Sequence, residues 1–479
     1  ELTPAMIARV IAARIGRFFD SERIHERLAF LEAKEAALAK PRNRAERQPW
    51  YCSGCPHNTS TVVPEGSLAY GGIGCHYMAT WMERGTVTFT QMGGEGATWL
   101  GQAPFTERKH VFQNLGDGTY FHSGLLAIRA AVSARANITY KILYNDAVAM
   151  TGGQNVDGPL SVERMVFQLR GEGVKRIVVV SDTPDHYEAE LPDLEGLSIR
   201  HRDDLDAVQC ELRDTEGCTV LIYAQTCAAE KRRRRKRGLM EDPDKRVFIN
   251  PDVCEGCGDC STQSNCLSVV PKETPLGRKR GIDQSACNKD YSCVKGFCPS
   301  FVTVHGGSLK SNKPANVRRP IWLLPEPDLP RLDEPYNVLV AGVGGTGVLT
   351  VSSVLGMAAH IEGLGASVLN QTGLAQKFGA VTGHVRVANS QEDLFSVRIP
   401  AGSAHVLLGA DLAVSAGDEA LAKLDSRFSS AVVNSHRSPT AEFTHNPDAP
   451  FHKRAMEQTL REEASEARAH FLEATELTT

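Results

Sequence analysis

The 479-residue sequence lacks several features that would assign it to a class at once. It has no run of about 18 apolar residues, so no segment predicts a membrane-spanning helix. Its first residues do not form a signal peptide. The net charge is only −4, which gives no global indication of a nucleic-acid or membrane partner. No repeat period is visible either.

The cysteines do not fit a disulfide framework. There are thirteen of them, an odd number, and seven fall within the 45 residues from Cys254 to Cys298. Thiols spaced two residues apart favour one metal centre in a reducing compartment. We therefore expect a cytoplasmic protein whose metal centres are sensitive to oxygen.

The cysteine-rich stretch resembles a two-cluster ferredoxin motif that lacks one ligand. Two [4Fe–4S] clusters need eight ligands and the fourth cysteine of each motif crosses to the other cluster, but only seven thiols are present. In "CNKDYSC" the place of the middle ligand is taken by Asp290. This pattern predicts one cluster on Cys254, Cys257, Cys260 and Cys298, and another with three or four irons on Cys266, Cys287, Cys293 and Asp290. The alternative is that Asp290 faces solvent in a loop.

Composition divides the chain into six predicted segments. Thr3 with Pro4, and later Ser21, predict the starts of two N-terminal helices. Strand-like runs then alternate with helical ones, which predicts a parallel sheet covered on both faces. The run "KRRRRKRG" predicts a solvated linker, with a docking patch for an acidic electron carrier as the alternative. The segments are a helical connector (1–48), an α/β domain (49–228), a basic linker (229–245), a ferredoxin-like α+β domain (246–306), a Pro-rich linker (307–335) and a second, Rossmann-like α/β domain (336–479).

Two polar residues follow neighbouring predicted strands in the first α/β domain. Asp117 lies in Gly116-Asp117-Gly118, and Asn145 follows the next strand. Ligands gather at the carboxyl ends of parallel strands, so both side chains should offer oxygen atoms to a Mg²⁺ that carries a diphosphate. This spacing resembles the thiamine diphosphate motif, whereas an isolated Gly-Asp-Gly is also ordinary turn chemistry. Main-chain N–H groups of Thr151, Gly152 and Gly153 at a helix start are further candidate phosphate ligands.

A second group of cysteines precedes these residues. Cys52, Cys55 and Cys75 could bind zinc together with His57 or His76, or a [4Fe–4S] cluster with a fourth cysteine. Cys210 falls in a predicted helix and Cys218 at the start of a strand, where small buried cysteines are common. Cys227 follows the carboxyl end of that strand, so we expect it to be the fourth ligand.

A glycine pattern opens the second α/β domain. Gly342, Gly344 and Gly347 form G-x-G-x-x-G between a predicted strand and a helix, which suggests dinucleotide binding. However, Asn370 and Gln371 stand where the ribose-binding carboxylate is expected. The pattern therefore argues weakly for NAD.

The order of these motifs resembles a known family. The stretches "CSGCPH", "GIGCH", "GDG…YNDAVAMTGGQ", the ferredoxin-type segment and "GVGGTGV…NQTGLAQKFGAVTGHVRV" occur together in the 2-oxoacid:ferredoxin oxidoreductases, most similarly in fused bacterial indolepyruvate ferredoxin oxidoreductases. The resemblance implies thiamine diphosphate, Mg²⁺ on Asp117, Asn145 and the Ala147 carbonyl, and three [4Fe–4S] clusters. It also implies an aryl pyruvate or another 2-oxo acid as substrate, coenzyme A as acyl acceptor, ferredoxin as electron acceptor and a gamma-type second α/β domain.

The resemblance also indicates what is absent. No domain for the pyrimidine ring is recognisable, so we expect a central part of a longer protein or a subunit whose partner supplies that domain, and a homodimer. No acid–base catalyst can be assigned, because a structural role is the favoured interpretation for both His57 and His122. The rival hypothesis is a non-catalytic electron-transfer module that binds no thiamine diphosphate.

Overall fold

The computed structural model describes residues 3–42, 45–156, 158–309, 325–326, 328–374 and 378–475. They form two compact units. The cysteine unit, which we name for its thirteen thiols, contains residues 50–309 and 443–447. The glycine-turn unit contains residues 1–49, 310–442 and 448–479. Among the described helices, none has both the length and the apolar character that crossing a membrane requires.

The cysteine unit is built on a seven-stranded sheet in which every neighbouring pair is parallel. Its strands are β1 (Ala69–Gly71), β2 (Thr86–Phe89), β3 (Val111–Gly116), β4 (Ile138–Tyr144), β5 (Arg176–Ser181), β6 (Leu197–His201) and β7 (Cys218–Ala224). They lie in the order β2-β1-β3-β4-β7-β5-β6. The central strands are buried along nearly their whole length because helices cover both faces, as the apolar runs predict.

The longer helices around this sheet, among them Leu125–Ser133, Val162–Gly171 and Leu205–Asp214, bury apolar residues on one side. The segments around the sheet are Ala97–Gln102, Asp117–Thr119 with its π-helical continuation Tyr120–Gly124, Leu125–Ser133, Val162–Gly171, Pro184–Glu190, Leu205–Asp214 and Ala228–Lys236. A short helix, His57–Ser60, and a 3-10 turn, Cys75–Trp81, carry the first cysteine motifs. The strand and helix assignments for residues 50–224 therefore agree with the predicted α/β class.

The cysteine-rich segment forms an α+β layer of its own within this unit. β8 (Lys245–Ile249) pairs antiparallel with β11 (Phe301–His305), and β9 (Val269–Thr274) pairs antiparallel with β10 (Gly277–Ile282). The Asp259–Ser264 helix and the Ser292–Val294 turn lie between them in sequence. This arrangement agrees with the predicted ferredoxin-like α+β segment.

The glycine-turn unit contains a six-stranded mixed sheet. Its strands are β12 (Tyr336–Val343), β13 (Gly365–Gln371), β14 (Ala380–Ala388), β15 (Val406–Gly409), β16 (Ser430–Asn434) and β17 (Ala469–Leu472). They lie in the order β13-β14-β12-β15-β16-β17. The helices of this unit are Pro4–Ile15, Glu22–Leu38, Val348–Ile361, Leu412–Ser415, Asp418–Leu421 and Lys453–Glu463. Thr3 caps the first helix through the Met6 N–H as predicted, whereas the Ser21 side chain makes no such bond.

The glycine turn opens an α/β unit that differs from a dinucleotide-binding one. Gly345 and Gly347 have φ values of 96° and 86°, which favour glycine, and a helix follows at Val348. The next strand, β13, is not beside β12, because β14 lies between them and is antiparallel to both. Asn370 and Gln371 thus end an edge strand. Residues 375–377 of this motif, and most of the Pro-rich linker, lie outside the described residues.

Candidate functional site

Asp117 and Asn145 meet at the carboxyl edge of the parallel sheet. β3 and β4 are direct neighbours, with Gly116 opposite Leu143, so the residues that follow the two strands lie together. The Asn145 main-chain N–H donates to Asp117 Oδ2 over 2.8 Å, and the Gly118 N–H donates to Oδ1 over 2.8 Å. Asp117 and Asn145, which the sequence predicts to lie close together, are therefore in direct contact.

The surroundings of Asp117 suit a cation. Burial raises the pKa of its carboxyl to about 6, although main-chain N–H groups of Asn145, Gly118, Ala147 and Asp146 act in the opposite direction. A buried carboxylate is stabilised by a bound positive charge, and its oxygens are hard donors of the kind that Mg²⁺ prefers. The donor set at this edge fits a magnesium ion.

The Asn145 side chain is oriented by two contacts on its nitrogen. Nδ2 donates to the Leu143 carbonyl over 3.0 Å and lies 3.5 Å from His57 Nε2. His57 Nδ1 in turn lies 3.3 Å from Ser60 Oγ. Because the amide nitrogen is committed to these contacts, the amide oxygen is the atom that can serve as a ligand.

A cavity of about 520 Å³ lies beside these residues, a volume typical of a cofactor site. It brings the predicted thiamine and cysteine motifs together, while Ala147 and Gly152 are not among the residues that line it. His122 is exposed and hydrogen-bonds Ser123. The polar and sulfur-bearing residues of the lining are His57, Cys75, His76, Met92, Asp117, Thr119, His122, Asn145, Met150, Thr151 and Asn155.

The prediction of a helix start at Thr151–Gly153 is wrong. These residues lie in a turn closed by a bridge between Val148 and Gln154, where the Gly153 N–H donates to the Val148 carbonyl. The next helix begins only at Val162. The helix that directly follows β3 at this edge of the sheet begins at Asp117 itself. It runs through the π-helical turn to Ser133, so the anion-binding end of a helix is supplied by the Gly-Asp-Gly turn.

The basic run is not the solvated linker that its charge predicted. Residues Ala228–Lys236 form a helix, which we call the basic helix, directly after Cys227. Arg233 donates to the Gly152 carbonyl, and Arg234 pairs with Asp146 at 2.6 Å. Glu230 pairs with both arginines at i,i+3 and i,i+4, which stabilises the helix. The basic helix thereby holds the turn that follows Asn145.

The first cysteine motif lies at the same edge of the sheet. Cys55, Cys75 and Cys227 are buried. Burial raises the pKa of the Tyr51 hydroxyl, and the nearby thiols of Cys55 and Cys75 add to the effect. The Cys227 N–H donates to the Asn145 carbonyl over 3.0 Å, so Cys227 is at the carboxyl end of β7, as expected. Cys218 is opposite Ile138 at the other end of the sheet, and Cys210 is in the Leu205–Asp214 helix.

The ferredoxin-like segment places its cysteines in two neighbouring groups. Cys254, Cys257, Cys260 and Cys298 line one cavity of about 800 Å³, and Cys293 also reaches it. Burial raises the pKa of the Cys293 thiol to about 12, and nearby Cys266, Cys287 and Cys260 add to the effect. The four cysteines predicted for the first cluster thus line one cavity. Cys293, predicted for the second cluster, lines the same cavity and also lies near Cys266 and Cys287.

Asp290 is engaged with a residue from the parallel-sheet domain. Arg202 Nη1 donates to Asp290 Oδ1 over 2.8 Å, and Nη2 donates to Oδ2 over 3.3 Å. Burial acts to raise the pKa of the Asp290 carboxyl, but hydrogen bonds from Arg202 and the guanidinium charge outweigh burial and hold it below its ordinary value. Asp290 does not face solvent in a loop, because its side chain is only 12% exposed.

All thirteen cysteines lie in the described part of the chain. Within the described ranges, no three His, Cys, Asp or Glu side chains are placed to hold a single metal ion. A [4Fe–4S] cluster differs from such an ion, because each of its irons takes one thiolate and the ligands are spread around the cluster. The donor chemistry of the cysteine groups fits clusters of this kind.

Sequence reasoning missed several residues at this site. Three arginines bond residues that lie about 80 to 90 positions away in the sequence: Arg202, Arg233 and Arg234. The i,i+4 pair of Arg234 with Glu230 can be predicted from sequence spacing, but these distant contacts cannot. His76 was considered only as a zinc ligand. It is buried, its Nε2 atom has no hydrogen-bond partner among the described residues, and burial lowers the pKa of its imidazole to about 4.

Two regions of the chain match known protein families. Residues 72–221 match the C-terminal TPP binding domain of thiamine pyrophosphate enzymes, and residues 337–478 match the pyruvate ferredoxin/flavodoxin oxidoreductase family. With the relatives below, these two matches support the predicted resemblance to the 2-oxoacid:ferredoxin oxidoreductases.

The individual relatives are distant. The chain is 24% identical over 275 residues to indolepyruvate oxidoreductase subunit IorA of Thermococcus kodakarensis, which covers 53% of this chain and 40% of the relative. It is 40% identical over 73 residues to subunit IorB of the same organism, which covers 15% of this chain and 35% of the relative. The chain thus spans about two fifths of the length of the IorA relative.

Among solved structures, the chain is similar to a 2-oxoglutarate:ferredoxin oxidoreductase from Magnetococcus marinus. The identity is 17%, the TM-score is 0.28, and the match covers 38% of this chain and 66% of the other.

Proposed function

We propose that this chain carries the diphosphate site and the electron path of an enzyme that oxidatively decarboxylates 2-oxo acids. The observation that supports this best is that Asp117 and Asn145 meet beside a cavity that Cys75 also lines. A diphosphate site and a thiol site at one edge of one sheet suit chemistry that removes electrons where a carbon–carbon bond is broken.

In this proposal the metal is held by Asp117, Asn145 and the main-chain carbonyl of Ala147. The turn Gly116-Asp117-Gly118 directs the start of its helix at the diphosphate, and Thr151 lines the same cavity. Bound thiamine diphosphate supplies a nucleophilic carbon and an electron sink for the 2-oxo carbon. The chain's own residues hold the metal, orient Asn145 through His57 and fix the following turn through the basic helix.

The products follow from the balance of the reaction. The carboxyl group leaves as CO₂, the acyl group replaces the thiol hydrogen of coenzyme A, and two electrons and one proton are released. Iron–sulfur centres accept electrons singly. We infer three centres: one on Cys52, Cys55, Cys75 and Cys227, and two in the ferredoxin-like segment, with ferredoxin as the final acceptor.

We propose indolepyruvate or another aryl pyruvate as the substrate. The relatives are named for indolepyruvate, and the cavity has an apolar lining next to Asp117 that suits an aromatic side chain. These residues are Ile73, Met92, Phe121, Val148, Met150 and Val156. A pyrimidine-binding domain from elsewhere in the protein or from a partner completes the site in this proposal, and we expect the assembly to be a homodimer.

The test uses the complete protein under anaerobic conditions. Thiamine diphosphate binding is titrated calorimetrically with Mg²⁺, and reduction of a ferredoxin is followed with coenzyme A and indolepyruvate, pyruvate or a branched-chain 2-oxo acid. Asp117→Asn should abolish Mg²⁺-dependent binding, whereas Asp185→Asn, at an exposed position of the same unit, should not. Absence of binding to the wild-type protein would instead favour a non-catalytic electron-transfer module.

A further inference from the structure

The Asp290 carboxylate is held in a largely buried ion pair. Both of its oxygens accept from Arg202, and the two side chains are only 8% and 12% exposed for Arg202 and Asp290. Arg202 directly follows β6 of the parallel sheet. The contact therefore joins that sheet to the loop between Cys287 and Cys293.

The same loop is anchored at a second point. Asn288 Nδ2 donates to the Ser53 carbonyl over 3.2 Å and to the Ala228 carbonyl over 2.8 Å. These two acceptors are next to Cys52 and Cys227. A Cβ atom added at Gly54, whose φ is 64°, would lie 3.0 Å from the Cβ atoms of both Asn288 and Asp290. The loop thus packs directly on the first cysteine motif.

Moving Asp290 to an iron would break this arrangement. It would leave the Arg202 guanidinium buried without its counter-ion, which is strongly destabilising. Carboxylate is also a harder donor than thiolate and binds a cluster iron less well. Both effects favour the ion pair over ligation.

We propose that Asp290 is not an iron ligand: with Arg202 it fixes the Cys287–Cys293 loop against the parallel-sheet domain, and the site on Cys266, Cys287 and Cys293 binds its cluster through three thiolates. This inference rests on the proposed function for the presence of the cluster. Where the ferredoxin pattern has its eighth ligand, this protein then has a residue that joins the loop to the parallel-sheet domain. The iron that lacks a protein ligand should be the one lost most readily.

The test counts iron and sulfide in the full chain after anaerobic reconstitution, and records electron paramagnetic resonance spectra before and after reduction. Asp290→Asn should keep the wild-type iron content and spectra while its thermal midpoint falls. Asp290→Cys should add no iron, because position 290 is directed at Arg202. Asp411→Asn is the matched control, since Asp411 forms a similarly buried pair with Arg47 at 2.7 Å. It should lower stability without any change in spectra.

A double variant guards against loss of folding. Arg202→Gln with Asp290→Asn leaves no unpaired charge, so it should fold and retain the wild-type iron content. The inference would be overturned if both the double variant and Asp290→Asn lost iron while Arg202→Gln alone kept it. A gain of iron in Asp290→Cys would overturn it as well. A wild-type protein that binds no cluster contradicts the proposed function itself, so the two failures can be told apart.

Discussion

Replacing Lys141 with methionine should change how the stability of the cysteine unit depends on pH. Lys141 lies in the middle of β4 and is fully buried. Its Nζ donates to Gln209 Oε1 over 2.5 Å and lies 5.6 Å from the centre of the Phe112 ring. No carboxylate is among these contacts, and burial lowers the pKa of the amine from 10.5 to about 7.

The sign of the effect follows from proton linkage. Between pH 7 and pH 10.5 the unfolded chain binds a proton at this lysine that the folded chain binds weakly, so the free energy of unfolding rises with pH in that window. At 1.36 kcal/mol for each pH unit of pKa difference, the lysine destabilises the fold by ~4 kcal/mol at pH 7. The same arithmetic gives ~2 kcal/mol at pH 9.

Lys141→Met removes this dependence. At pH 7 we expect the variant to be more stable than wild type by about 1–3 kcal/mol, since Gln209 then loses its partner at a cost of about 1–3 kcal/mol. By pH 9 the advantage should have fallen by about 2 kcal/mol. The measurement is urea unfolding under reducing conditions, followed by the fluorescence of Trp99, which is buried in the same unit. Lys175→Met, at an exposed position, is the control.

The difference between wild type and variant is the decisive quantity, because other groups titrate in both proteins and cancel. Curves for Lys141→Met and wild type that stay parallel from pH 7 to pH 9, as those for Lys175→Met should, would refute the reasoning.

Three further substitutions test the cysteine unit. Arg234→Ala should weaken Mg²⁺-dependent thiamine diphosphate binding by roughly 2- to 5-fold in calorimetry, since its partly exposed pair with Asp146 contributes about 0.5–1 kcal/mol; the exposed Arg237→Ala should have no effect, and equal losses would contradict the role of the basic helix. Cys227→Ala should reduce the bound iron by about four atoms per chain, the content of one cluster, while Cys218→Ala leaves it unchanged; the reverse order would remove Cys227 from the ligand set. Gly96→Ala should lower the thermal midpoint measured by circular dichroism, because φ is 84° and the new Cβ would lie 2.3 Å from the Tyr140 hydroxyl oxygen; an unchanged midpoint would contradict this.

Much of the fold was predictable because it depends on local pattern. Continuous apolar runs identify strands buried on both faces, and all seven strands of the first sheet are parallel, as such runs indicate. Asp117 and Asn145 could be paired in advance because β3 and β4 are consecutive in sequence and adjacent in the sheet. The prediction of a linker at the basic run is wrong, because charge alone does not distinguish a solvated segment from a helix whose arginines bind nearby carbonyls and carboxylates.

The chemistry of the candidate donors and their spacing can be taken from the amino-acid sequence alone: two oxygen-bearing side chains after consecutive strands, and thiols two residues apart. Which distant residues meet depends on the tertiary structure. β7 lies beside β4 although two strands separate them in sequence, and this order brings the Cys227 N–H onto the Asn145 carbonyl. Arg202 and Asp290 are 88 residues apart and form their ion pair only because the cysteine-rich segment packs on the end of β6. Spacing along the chain indicates which groups are neighbours within a motif. The partner of a buried charge depends on packing, because a buried charge without a partner is strongly destabilising.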